Sequence, residues 1–144
     1  MHALTGGDMT SKVGTKSAGL KANQPAYLKN FAKITVSFED CKENAEKYLV
    51  RVLDKGKYDV NTMDELRLLK YHHEKCITIN DLPPTSESTE GHIRRAYYMT
   101  YTQINCLSEF RLNPLDYGFA LEDEYLVPIK YHRPLPEEIV LKCI

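Results

Sequence analysis

Ser37-Phe-Glu-Asp-Cys-Lys-Glu-Asn-Ala-Glu-Lys-Tyr-Leu-Val-Arg-Val-Leu-Asp-Lys-Gly56 decides the fold class of this chain. Ser37 heads a capping pattern, Ser37-Phe-Glu-Asp40, because its hydroxyl oxygen can accept one of the unpaired amides of a first helical turn. Behind it Phe38, Cys41, Ala45, Leu49 and Val52 recur at three- and four-residue steps, the spacing of one helix face, up to a stop at Gly56. The stretch predicts a long amphipathic helix whose apolar stripe needs partners to cover it.

The neighbouring sequence supplies them. Downstream, Thr62-Met-Asp-Glu65 is a second capping box, and Met63, Leu66, Leu69 and His73 form the stripe of the helix it opens. Asn80 to Ser88, containing Pro83-Pro84, reads as a loop. A third long helix is predicted from about Glu90 to Leu107, with Ile93, Tyr97, Thr100, Tyr101, Ile104 and Leu107 on one side. After Asn113-Pro114 the period changes: residues 117–129 read as a β-hairpin around Glu122-Asp-Glu124. Pro134 and Pro136 predict a last short turn or an extended tail. Upstream, Lys16 to about Ala22 reads as helix ended by Asn23 and Pro25. Pro25 opens a further short helix with Ala26, Leu28, Phe31 and Ala32 on its apolar face. The expectation is a mainly α protein: a small helical domain with an N-terminal helix–hairpin–helix-like turn and one C-terminal β-hairpin. It divides into residues 1–36, a helical region 37–82, and 83–144 with the long helix, hairpin and tail.

Composition bounds the function classes. The 144 residues suit one domain, with 42% apolar and 27% charged side chains and a net charge of -1. The longest uninterrupted apolar run, Ala96 to Met99, is far too short for a bilayer, and the N-terminal residues lack the pattern of a secretory signal. Cys41, Cys76, Cys106 and Cys143 are too widely spaced for a zinc knuckle or a disulfide framework. An intracellular, membrane-free location is expected, with a nuclear one if the chain meets DNA.

The small net charge conceals an asymmetry. Residues 1–36 carry five lysines (Lys12, Lys16, Lys21, Lys29, Lys33) against one acid, Asp8, whereas the rest carries 14 basic and 19 acidic side chains. A basic segment on an acidic body fits a phosphate-bearing partner at that segment alone, and equally an ordinary solvated face. Within it lies Val13-Gly-Thr-Lys-Ser-Ala18, with the form of a helix–hairpin–helix turn. Gly14 permits positive φ and close approach of a phosphate. The helix opening at Lys16 directs unpaired amides and the positive end of its dipole at that phosphate, and Ala18 keeps the helix crossing tight.

The preceding Thr5-Gly6-Gly7-Asp8 joins that turn in an arrangement that resembles the flap-endonuclease-like (PIN-like) nucleases, in which a Gly-x-Asp closing the catalytic core runs straight into such a turn. The resemblance implies that Asp8 is a ligand of a divalent ion, and that Lys12, Gly14, Thr15 and Lys16 contact nucleic-acid backbone. A wider set of segments is similar to a group of uncharacterised, often transposon-associated animal proteins with an upstream nuclease-like region and a cysteine-rich tail. These are His2-Ala-Leu-Thr-Gly-Gly-Asp8, Thr10 to Lys16, Leu82-Pro-Pro-Thr-Ser86, His92-Ile-Arg-Arg-Ala-Tyr-Tyr98 and Leu115-Asp-Tyr-Gly-Phe119. Gly7 and Met9 depart from the Cys and Thr usual there. The resemblance implies a truncated C-terminal portion.

Metal-dependent phosphodiester cleavage needs several carboxylates around one or two ions. None of the seven residues before Asp8 is acidic, and the later acids sit where helix capping or solvation explains them. No catalytic residue is therefore assigned, and Mg²⁺ is expected only if an upstream region completes the cluster. The reading is a truncated, non-catalytic portion of a flap-endonuclease-like protein with weak, sequence-independent DNA binding. The alternative is a helical protein-interaction or scaffold domain, its partner unknown, with no nucleic-acid role.

Three further constellations have simpler explanations. His72 and Cys76 are one helical turn apart, a ligand-like spacing that lacks a third and fourth ligand nearby. His92, Arg94 and Arg95 with Tyr97, Tyr98 and Tyr101 suit stacking on single-stranded bases or ordinary half-buried packing. Cys41 lies on an apolar stripe, the setting of a buried structural thiol.

Overall fold

A computed structural model of the chain describes Leu4 and residues 25–33, 35–74 and 78–131. The described elements are α1 (Pro25–Leu28), α2 (Phe38–Asp54), α3 (Met63–His73), α4 (Ser86–Ile104), β1 (Phe119–Glu122) and β2 (Tyr125–Pro128), with short 3-10 turns at Ile79–Asp81 and Pro114–Tyr117. The protein is thus mainly helical, with one antiparallel hairpin. The helix expected over Lys16–Ala22, the turn before it and the tail after Pro134 lie outside the described residues.

The helix starts follow their capping residues. Ser37 Oγ accepts the Asp40 amide at 3.2 Å; the Ser37 hydroxyl donates to Asp40 Oδ2, which does not reach back to the Ser37 amide, so the box is half made. At Thr62 the box is complete: the hydroxyl oxygen accepts the Glu65 amide, and Glu65 Oε2 accepts the amides of Thr62 and Asn61. Those amides hold the Glu65 carboxyl below its usual range. Helix α2 ends one residue earlier than its glycine suggests. Lys55 takes the left-handed cap at φ 56°, and Gly56 follows at φ 77°.

Helix α4 begins at Ser86, not near Glu90. Thr85 is its N-cap, accepting the Ser88 amide, so the loop after Pro83-Pro84 is shorter than the polar run Thr85–Glu90 implies. A three-way contact stitches this start to α2 and α3. Ser86 Oγ donates to Glu46 Oε1 at 2.6 Å and accepts the Asp64 amide; the Ser86 amide donates to Asp64, and Glu46 Oε1 also accepts the Met63 amide at 2.9 Å. Carboxylates thereby serve the positive ends of two helices at once.

The core sits between α2, α3 and α4. Ala45, Tyr48, Leu49, Val50 and Val52 of α2, Met63 and Leu66 of α3, and Ile93 and Ala96 of α4 form one buried cluster, which Leu4 joins. It crosses the Pro83-Pro84 stretch without interruption. A second, aromatic cluster joins Ala32, Cys41, Tyr97 and Tyr101, flanked by Phe31, Phe38 and Tyr117. Rings interlock there: Tyr97 lies nearly parallel to Tyr117 with centroids 5.6 Å apart and meets Phe31 and Phe38 edge-on.

The stripe expected along α4 is covered only in part. Ile93, Tyr97 and Tyr101 are buried, whereas Ile104 is exposed; the helix ends there, with Asn105 as its C-cap, so Leu107 lies beyond it and is exposed as well. In the hairpin the pairs are Phe119–Pro128, Ala120–Val127, Leu121–Leu126 and Glu122–Tyr125. Glu122 belongs to the strand, so the turn is the two residues Asp123 and Glu124, both at positive φ (46° and 68°).

Candidate nucleic-acid interface

Asp8, Lys12, Gly14, Thr15 and Lys16 lie outside the described residues; both flanks of their segment are described, and both are fastened to the helical body. On the N-terminal side Leu4 has no exposed surface and belongs to the main core cluster. Its carbonyl oxygen accepts a hydrogen bond from His92 Nε2 at 2.6 Å. A carbonyl only accepts, so Nε2 carries the proton and His92 is held as that tautomer. Burial lowers the His92 pKa and the Arg95 charge lowers it further, against the opposing pull of the Leu4 carbonyl; the imidazole is neutral.

On the C-terminal side Tyr27, Leu28 and Phe31 pack against the same core. The chain then turns through Ala32, buried at φ 61°, and the Cys41 thiol donates to the Asn30 carbonyl at 3.4 Å. Burial pushes the Cys41 thiol pKa up, the reverse of what a nucleophile needs. Of the basic segment, Lys29 and Lys33 are described, and both face solvent.

Arg95, one helical turn beyond the neutral His92, is a buried cation of α4, 5% exposed. Its Nη1 donates to the carbonyls of Gly118 and Ile129, both at 3.5 Å, at the open end of the hairpin. Burial lowers its pKa, since no described carboxylate offsets the lost hydration. Two glycines allow this approach. A Cβ on Gly91 would fall 2.0 Å from the Tyr131 ring; one on Gly118 would fall 3.1 Å from the Gly91 carbonyl oxygen, with the backbone already at φ 79°. Midway along α4, His92 therefore holds the N-terminal flank while Arg95 holds the hairpin.

The aromatic and cationic residues of α4 are taken up by packing. Tyr97 and Tyr101 are buried, Tyr98 packs on Tyr117 and Phe119, and Arg94 lies 4.5 Å over the Phe38 ring while pairing with Glu90 at 2.7 Å. His72 and His73 end α3 in solvent, His73 stacking on Tyr58, and Cys76 lies outside the described residues. Among the described residues no group of three or more His, Cys, Asp or Glu is placed to hold a metal ion. None of the described helices is long and apolar enough to cross a membrane.

Sequence reading does not single out Gly91, Gly118 or Glu46, and for His92 and Arg95 it offers base stacking or half-buried packing, with no anchoring role for either. A faint signal existed: His92, Arg95 and Ala96 share a face with Ile93 near the helix middle. No family model, curated protein or solved structure matches the chain. The class defined by the observations is a small helical domain with an appended hairpin and a basic N-terminal segment anchored on both flanks.

Proposed function

We propose that this chain is the non-catalytic helical portion of a flap-endonuclease-like protein, and that residues 6–21 contact nucleic-acid backbone without sequence preference. The observation that carries the reading is the anchoring of both flanks of that segment in one core, Leu4 through His92 and Tyr27–Phe31 through apolar packing. Fixed ends reduce the ordering cost of a segment that must present Lys12, Gly14, Thr15 and Lys16 together. The charge pattern agrees: a lysine-rich segment precedes, in sequence, a body of opposite sign. Catalysis is outside the proposal, since Asp8 is one carboxylate where such chemistry needs several.

Fluorescence anisotropy of labelled duplex and single-stranded DNA, from about 50 to about 300 mM salt, tests it. The expected result is duplex binding that weakens steeply with salt and is lost in Lys16→Glu at unchanged helix content. A folded chain that binds neither DNA at any salt overturns the proposal in favour of a helical interaction domain.

A further inference from the structure

We infer that the outer half of the hairpin is a docking surface for an extended protein segment in which apolar residues alternate with Lys or Arg, added as a third strand along β1. The root of the hairpin is consumed by the fold: Phe119 is buried against Tyr98, and the Gly118 and Ile129 carbonyls take Arg95. Its outer half is not. Leu121 and Leu126 stand directly opposite each other in register on the Phe119 face and are 61% and 43% exposed, so the apolar face continues past the point where the core ends.

The ladder geometry selects the edge. The Ile129 amide donates to the Gly118 carbonyl at 3.0 Å, making that pair hydrogen-bonded. Antiparallel pairs alternate, so 120–127 and 122–125 are hydrogen-bonded as well, and residues 119, 121, 126 and 128 turn their backbone groups outward. On β2 the outward groups include Pro128, which has no N–H, and that edge is short of a donor. On β1 Leu121 offers both an N–H and a C=O beside its exposed side chain, the requirement for strand addition.

Charge selects the occupant. Glu122, Asp123 and Glu124 form the tip, and every ion pair among the described residues uses other carboxylates. Three acids beside an apolar edge favour a cationic apolar strand and repel phosphate and anionic lipid. This surface lies on a different part of the chain from residues 6–21, so the two proposals fail separately.

The test titrates ¹⁵N-labelled chain with a short synthetic peptide alternating valine and lysine, and with its valine–glutamate counterpart. The expected result is amide shifts confined to residues 119–128 with the lysine peptide. Glu122→Lys with Glu124→Lys should weaken it roughly tenfold and favour the glutamate peptide. Leu121→Ser should weaken the lysine peptide, and spectra unchanged outside the hairpin certify folding. Shifts centred on Glu39–Glu43, unaltered affinity after charge reversal, or no shifts with either peptide overturn the inference. So does concentration-dependent self-association lost in Leu121→Ser, which would make a second copy the occupant, or binding to phosphatidylserine vesicles through the hairpin.

Discussion

Helix α2 and the hairpin are both rich in apolar residues, the hairpin the more so, and they end in opposite situations. Phe38, Cys41, Ala45, Leu49 and Val52 of α2 are all buried or partly buried, whereas Leu121, Tyr125 and Leu126 of the hairpin are largely exposed. The difference is one of neighbours. Helix α2 runs between α3 and α4, while the hairpin touches α4 only at its root, through Arg95 and Tyr98. An apolar pattern marks a face; it does not say what covers that face.

The largest expected effect breaks the comparison at its strongest point. Leu49→Ala should cost roughly 2–5 kcal/mol, and Leu121→Ala at most about 0.5 kcal/mol, in urea denaturation followed by helix content. Equal losses at the two positions would mean that the hairpin's outer face is covered in solution.

Gly118→Ala probes the joint between the two regions. A side chain there combines a positive φ with a Cβ pressed on the Gly91 carbonyl, and should cost roughly 1–2 kcal/mol. The Arg95 contacts should loosen first, seen as faster amide exchange at Ile129 than in α2. No loss would show that the hairpin is not held in this pose.

A smaller effect, of opposite sign, lies at the tip. Asp123 and Glu124 hold a two-residue turn that Asn-Gly fills with less strain. Asp123→Asn with Glu124→Gly should therefore stabilise the hairpin by about 0.5–1 kcal/mol, read from the same denaturation curves. It should also weaken the basic peptide, since two of the three acids are gone; tighter peptide binding would show that turn rigidity matters there and charge does not.

Much of the architecture was legible because it is local. Ser37 and Thr62 marked their helix starts through side chains that reach backbone amides three residues away, and residues 117–129 showed their hairpin by a change of period. Errors arose where local signals conflict with tertiary ones. Thr85–Ser88 looked like the end of a loop because it is polar, yet Ser86 is helical and its hydroxyl is used by Glu46, 40 residues away in sequence. The stripe continuing to Leu107 looked like core, yet nothing described covers it.

The candidate site divides the same way. The lysines of the basic segment, the Gly14-Thr-Lys16 sequence and the acidic run at Glu122–Glu124 are facts of residue order, readable from charge and spacing alone. That Leu4 is pinned by His92, that Arg95 is buried among carbonyls with no described carboxylate, and that Leu121 faces solvent while Phe119 does not required the tertiary structure. Helix caps, turns and charge runs act within a few residues, so the sequence determines them. Burial and long-range hydrogen bonds depend on which distant elements meet, and here the meeting of α2, α3 and α4 decided them.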